Sequence, residues 1–455
     1  MSERRIDAAL REATDTRDVN IAAGALAAVA DAFRGSFGDS PAVVVADGNT
    51  FEVAGKEVQR RLEEAECTTI EPYVFPAEPP LYAEYSNIEK LRDSLREHEA
   101  IPVAVGSGTL NDIVKRSSHE CERPYMCVGT AASMDGYTAF GASIEKVGLK
   151  QTLLCPAPRV VVADLEVLER APEDMMASGY ADLLGKVTSG ADWLVADALE
   201  VEKIDPMGWS LVQDHLRGWT DSPEALRAGD RKAIEHLIEG LIMSGLGMQS
   251  YESSRTASGA EHQFSHLWEM EGLGKEADPP LSHGFKVGVG TVAIAALYER
   301  ILERDLADLD VEALRDSWPT REEMERSVRA QHTSPELEEG AIEQTLAKHV
   351  SADELAERLE RLREVWPGLR EKVREQLMPA ERIREMLRAA GCPTTPVEIG
   401  LGWDDFRDTY ARARTIRKRY TVLDLAFETG NLGTCVDALF VPEGFWGRVA
   451  TPQAG

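Results

Sequence analysis

The sequence has little that would take it into a membrane or onto a nucleic acid. No run of eighteen apolar residues occurs in its 455 positions, so no membrane span is expected, because a helix crossing a bilayer core needs about twenty. Positive charge is scarce: 50 Lys and Arg stand against 79 Asp and Glu, a formal net charge of −29. A phosphate backbone requires a basic face, which excludes a nucleic-acid partner. The six cysteines (67, 121, 127, 155, 392 and 435) never form a C-x-x-C pair. That leaves no zinc ribbon and no disulfide framework, and their apolar neighbours suit buried thiols. Met1-Ser2-Glu3-Arg4-Arg5-Ile6-Asp7 lacks the apolar core of a secretory signal, so the cytoplasm is the expected compartment. Internal repeats and low-complexity tracts are missing too.

Histidine is also rare, yet three of the nine fall within 22 positions, at His262, His266 and His283. Imidazole is a common ligand of catalytic divalent metals. His262 and His266, four apart, share one face of a helix. His283 follows a Gly- and Pro-containing linker at the start of a second apolar helix.

The texture of the chain changes near residue 165. Before it, buried-strand runs alternate with amphipathic helices: 42–46, 69–75, 101–105, 125–128 and 160–163 read as strands, and 52–64 and 87–97 as helices. Such alternation predicts a mostly parallel sheet with helices on both faces, a Rossmann-like α/β domain over 1–165. After it, 3.6-residue spacing predicts helices over 172–199, 206–218, 230–254, 258–271 and 283–302, within an all-helical domain over 166–455. The Glu- and Arg-rich stretch 303–375 reads as solvated amphipathic helices rather than as a partner-binding coiled coil.

Several motifs carry chemistry. Gly106-Ser107-Gly108-Thr109-Leu110-Asn111 joins a strand to a helix, where free N–H groups and the helix dipole favour a pyrophosphate. Asn111 departs from the G-x-G-x-x-G fingerprint. Asp47 ends the first of these strands, where a carboxylate either bonds a ribose diol or forms the turn before Gly48. Thr130 and Ser133, in Thr130-Ala-Ala-Ser-Met-Asp-Gly-Tyr137, could approach a ligand or cap a helix, and Asp135 offers an acceptor for substrate hydroxyls. Asp182 sits among small and apolar residues and needs a compensating charge, from Lys186 at i+4 or from a metal.

These motifs, with Gly179-Tyr-Ala-Asp-Leu-Leu-Gly-Lys186, Ser258-Gly-Ala-Glu-His-Gln-Phe-Ser-His-Leu-Trp-Glu-Met270, Ser282-His-Gly-Phe-Lys-Val-Gly288 and Ile416-Arg-Lys-Arg-Tyr-Thr-Val-Leu-Asp-Leu425, resemble the sn-glycerol-1-phosphate dehydrogenase family. That family lies within the iron-containing alcohol dehydrogenase and dehydroquinate synthase-like fold. The resemblance spans roughly residues 20–430. It implies one divalent metal, zinc or nickel, held by Asp182, His262 and His283. It also implies NAD or NADP along Gly106 to Leu110, Thr130 and Ser133, with Asp47 at the adenosine ribose. Asp135, Asp182 and His266 would contact a phosphorylated triose or polyol, with His266 and Asp135 the catalytic pair, in a homo-oligomeric oxidoreductase. Of the i,i+4 histidines, the family uses only the first as a ligand. Lys286 is a candidate for the substrate phosphate, against a plain surface lysine. Ala139 stands where the family often has Ser, and Thr256 where Pro is usual. Polyol dehydrogenases and dehydroquinate- or inosose-type cyclases share the fold, but the cyclases typically carry Glu at the position of Asp182.

Overall fold

In the computed structural model, which describes residues 2–146 and 149–451, eight strands are followed by helices alone. They are β1 (Asp18–Ala22), β2 (Ala42–Asp47), β3 (Tyr73–Phe75), β4 (Ile101–Gly106), β5 (Met126–Gly129), β6 (Ala142–Lys146), β7 (Leu149–Leu153) and β8 (Val160–Asp164). Six of them form one parallel sheet in the order β1-β8-β5-β4-β2-β3. The expected mostly parallel sheet followed by a largely helical region is what the chain forms.

The texture changes at Asp164, whereas the chain's compact units follow other lines. One comprises Met1–Leu183, Pro206–Thr256 and Ala389–Gly391; the other comprises Leu184–Asp205, Ala257–Arg388 and Cys392–Gly455.

The first unit holds the sheet. Alternate residues Val44, Val103, Val105, Val128 and Val162 pack on Val29, Phe33, Val58 and Leu62 of the helices Val29–Phe37 and Lys56–Glu64. Their neighbours Val43, Val45, Ala104, Cys127 and Val161 are buried on the opposite face. Double burial is why these strands read as unbroken apolar runs rather than as alternating ones. Each such valine contributes about 1.5–3 kcal/mol of burial.

The strand expected at 69–75 is shorter, covering only Tyr73–Phe75, with an isolated bridge at Thr69. Pro72 has no N–H to donate, so the ladder cannot extend through it. Sequence reading missed β1, a half-buried strand beside β8, and the antiparallel pair β6–β7. The helix expected at 206–218 is two pieces, Pro206–Val212 and Leu216–Thr220.

Sheet order sets the place of the first ligand-binding edge. From β2 the chain passes to β3 on one side, then returns to β4 on the other. Ligands in open α/β sheets bind outside the strand carboxyl ends at such a reversal. Asp47 and Gly106 are the last residues of the two strands that flank it.

In the second unit, the helices Ala260–Met270 and His283–Leu302 approach closely because a glycine lies in the contact. A Cβ on Gly290 would come 2.7 Å from the Glu261 carbonyl oxygen, and one on Gly185 would come 2.9 Å from Val287 Cγ1. The long acidic helix Ala352–Gln376 buries Leu355, Leu359, Leu362, Trp366, Leu369 and Val373 at three- and four-residue spacing. Its Glu–Arg pairs, such as Glu360–Arg363 and Glu371–Arg374, remain exposed. An apolar stripe buried within its own unit fits the solvated-helix reading of this stretch.

Candidate active site

At the sheet reversal the helix Gly108–Glu120 begins directly after β4. Its N-cap, Ser107, is extended and makes no side-chain cap bond, so the first-turn N–H groups of Gly108, Thr109 and Leu110 have no side-chain acceptor there. Small residues are required at this turn. A Cβ on Gly106 would fall 2.5 Å from Leu110 Cδ2, and one on Gly108 would fall 2.7 Å from Met134 Cγ. Thr130 is drawn alongside, its N–H donating to the Gly106 carbonyl at 3.1 Å. An open helix N-terminus against tightly packed glycines fits a dinucleotide pyrophosphate.

Asp47 does form the turn: its Oδ1 accepts from Asn49 N and Thr50 N, both at 2.9 Å, in a capping box with Thr50. The cap uses one carboxylate oxygen, so capping and ribose binding are compatible in one residue.

The loop carrying Ser133 and Asp135 is held by the helix that follows the glycines. Asn111 Nδ2 donates to the Gly136 carbonyl at 3.2 Å while its Oδ1 accepts from Tyr125. Buried Lys115 donates to the carbonyls of Gly136, Ala139 and Gly141 at 2.9, 2.9 and 3.0 Å. Asn111 therefore has a clamping task that a glycine could not perform. The Ala139 departure removes a hydroxyl but leaves the carbonyl that Lys115 grips. The other departure, Thr256, buries its hydroxyl without a partner.

Gly179 lets the helix Glu173–Ala198 lie against this loop, since a Cβ there would come 1.9 Å from the Ala132 carbonyl oxygen. At that approach the Asp135 N–H donates to Asp182 Oδ2 at 3.0 Å, the Ser178 hydroxyl to the Ser133 carbonyl at 3.1 Å, and the Ser244 hydroxyl to Asp135 Oδ2 at 3.0 Å. Ser244 was not foreseen.

The three histidines do converge. Ring centroids are 5.4 Å apart for His262–His283, 5.8 Å for His266–His283 and 5.9 Å for His262–His266. In the second unit one set of donor atoms, from His266, Glu269 and His283, lies within 4.8 Å of one another. The surroundings separate the three histidines. His262 Nδ1 meets Glu261 Oε1 at 2.8 Å, and His283 Nδ1 meets Glu269 Oε1 at 2.8 Å. A carboxylate facing Nδ1 accepts its N–H, which keeps the ring proton there and leaves the Nε2 lone pair for a metal. His266 instead has the Arg417 guanidinium 3.2 Å from its Nδ1. Its Nδ1 must accept, so Nε2 carries the proton, and the adjacent cation opposes a dication. Burial first, then Arg417, holds His266 well below the usual imidazole range, so it is neutral.

Glu261 is fully buried, which alone would raise its pKa. Bonds from His262 and from the Gly259 N–H outweigh burial and hold the carboxyl below its usual range. Glu261, Glu269 and Arg417 are the residues that sequence reading left unassigned, although all three lie inside quoted motifs. Lys286 is no surface lysine; it is 6% exposed, with Nζ donating to the Leu281 carbonyl at 3.2 Å and 4.0 Å from Glu269 Oε1.

Comparison with known proteins points the same way. The iron-containing alcohol dehydrogenase profile matches residues 20–172. Glycerol-1-phosphate dehydrogenase (NAD(P)+) of Bacillus subtilis is 31% identical over 394 residues, covering 86% of this chain and 86% of the relative. The enzyme of the same name from Pyrococcus furiosus is 31% identical over 57% of this chain and 72% of its own. In fold, a glycerol dehydrogenase from Schizosaccharomyces pombe superposes with a TM-score of 0.58 at 16% identity, covering 93% of this chain and 90% of that one. The chain belongs to the glycerol-1-phosphate dehydrogenase family, within the iron-containing alcohol dehydrogenases.

Proposed function

We propose that the chain interconverts dihydroxyacetone phosphate and sn-glycerol 1-phosphate with NAD(P) and one divalent metal. The observation that carries this reading is the convergence of His262 and His283, each with its Nδ1 engaged by a carboxylate, and we assign Asp182 as the third ligand. Two imidazoles and one carboxylate are the donor set of a catalytic ion with open positions. When bound, the dinucleotide gives or takes the hydride and the ion polarises the oxygen on the reacting carbon.

The chain's own residues bind, orient and stabilise developing charge. The first turn of Gly108–Glu120 and the backbone of Gly106, Ser107, Thr130 and Ser133 receive the pyrophosphate and its neighbours. Asp47 receives the adenosine ribose and repels a 2′-phosphate, favouring NAD. Asp135, fixed by Ser244, orients a substrate hydroxyl. Neutral His266 presents Nε2–H as a hydrogen-bond donor to the reacting oxygen and stabilises the charge that develops there, while a water supplies the proton on reduction and takes it up on oxidation. We also assign the chain to the cytoplasm as a homo-oligomer, to be tested by light scattering and fractionation.

Steady-state rates with dihydroxyacetone phosphate and with dihydroxyacetone, each with NADH and NADPH, test the reading. Turnover of the unphosphorylated triose alone would assign a polyol dehydrogenase instead. His262→Ala should lose both bound metal and turnover; full metal content would remove it from the ligand set. Asp47→Asn keeps the cap and should narrow any preference for NADH.

A further inference from the structure

Arg417 has no counter-ion among the described residues. It lies in the turn between the helices Trp403–Ala413 and Val422–Glu428, and its side-chain hydrogen bond goes to the neutral His266. No described carboxylate lies within ion-pair distance of it, although Arg407, Arg412 and Arg414 on the same stretch all have acidic partners. Burial pushes its pKa down, with Glu269 opposing at longer range. A guanidinium does not lose its proton in a protein, so this site carries a full positive charge with most of its five donors uncommitted. A partly buried charge of this kind is costly unless an anion meets it.

The rest of the molecule sharpens that requirement. With a net charge of −29, the protein's overall field repels a phosphate dianion, so affinity for one needs a local cation. The planar fork of arginine matches phosphate oxygens in pairs, and His266 sets the fork's orientation through one of its N–H groups.

Resting on the glycerol-1-phosphate reading, we propose that Arg417 binds the substrate's phosphate and is the residue that separates phosphorylated from plain trioses. The same residue thus fixes the tautomer of His266 and anchors the far end of the substrate.

The test uses the full-length metal-loaded enzyme with Arg417→Met and Arg417→Lys. The readout is the ratio of kcat/KM for dihydroxyacetone phosphate to that for dihydroxyacetone. The methionine variant should lower kcat/KM for the phosphorylated substrate on the order of 10²- to 10³-fold, the scale for losing one partner of a hydrogen-bonded charge pair. The ratio should collapse with it, and lysine should restore part. Loss of tautomer control alone would depress both substrates equally and leave the ratio unchanged, which would overturn the proposal. Calorimetric binding of inorganic phosphate to wild type and to both variants decides the matter independently of turnover. Weakened binding in the methionine variant with partial recovery in lysine supports it, and equal binding in all three overturns it. If wild type turned over neither triose, the functional reading would fail while the phosphate titration still judged Arg417.

Discussion

Replacing Glu261 with Gln removes one buried negative charge while leaving the hydrogen-bond pattern intact. Oε1 accepts from Gly259 N at 2.7 Å and His262 Nδ1 at 2.8 Å, and Oε2 from the Thr188 hydroxyl at 2.9 Å. A glutamine can keep its carbonyl toward Gly259 and His262. Its amide then faces Thr188, whose hydroxyl is also 2.9 Å from the Gly185 carbonyl and can donate there instead. Charge-assisted bonds are about twice as strong as neutral ones, so the imidazole becomes a weaker ligand. Outer carboxylates of this kind are worth about 10- to 100-fold in metal affinity, or about 1.4–2.7 kcal/mol. Glu261→Ala instead strands two donors, the Gly259 N–H and the His262 Nδ1–H, at about 1–3 kcal/mol each and should unfold at markedly lower urea. The assay is competition for zinc against a chromophoric chelator at fixed pH, alongside urea midpoints. Wild-type zinc affinity in the glutamine variant would refute the idea that Glu261 tunes His262.

Further outcomes follow from other contacts. Gly179→Ala places a methyl 1.9 Å from a backbone oxygen, so it should cost about 3 kcal/mol or more and lower zinc affinity by shifting Asp182, measured by denaturation and chelator competition. Asp424 accepts from Lys348 at 2.7 Å with Arg414 at 3.7 Å; Asp424 and Arg414 are buried and the Lys348 side chain is 10% exposed. Asp424→Ala should therefore destabilise by about 3–5 kcal/mol through the charges it leaves behind, and a shift under 1 kcal/mol in urea would contradict this. His332 is pushed down to about 4, chiefly by burial, with Arg412 adding to it. Its unfolded value lies higher, so the stability from keeping it neutral is present above about pH 6.5 and is lost as pH falls toward 4. His332→Asn should show a shallower loss of urea midpoint over that range than wild type; parallel curves would rule the histidine out.

Local chemistry made much of this protein legible in the chain alone. Unbroken runs such as Ala42-Val-Val-Val-Ala46 can only satisfy strands buried on both faces, and the sheet bears this out. Asp47 before Gly48 reads as a turn because its carboxylate reaches backbone two and three residues on, and it does. Helical periodicity put His262 and His266 on one face, and so they stand, with ring centroids 5.9 Å apart. Where Pro72 removed a donor, and where β1 and β6–β7 lacked a long apolar run, pattern was a poor guide to pairing, because ladders depend on distant partners.

The division of labour between those two histidines was beyond any local pattern. Their spacing and residue type are identical in kind, and a helix treats them alike. What distinguishes them is the group facing each Nδ1: a carboxylate one residue away for His262, and a guanidinium 151 residues away for His266. The carboxylate leaves a lone pair for a cation, while the guanidinium leaves a proton for an oxygen. Spacing along the chain places side chains on faces, but the charge that meets each of them is a property of the folded molecule.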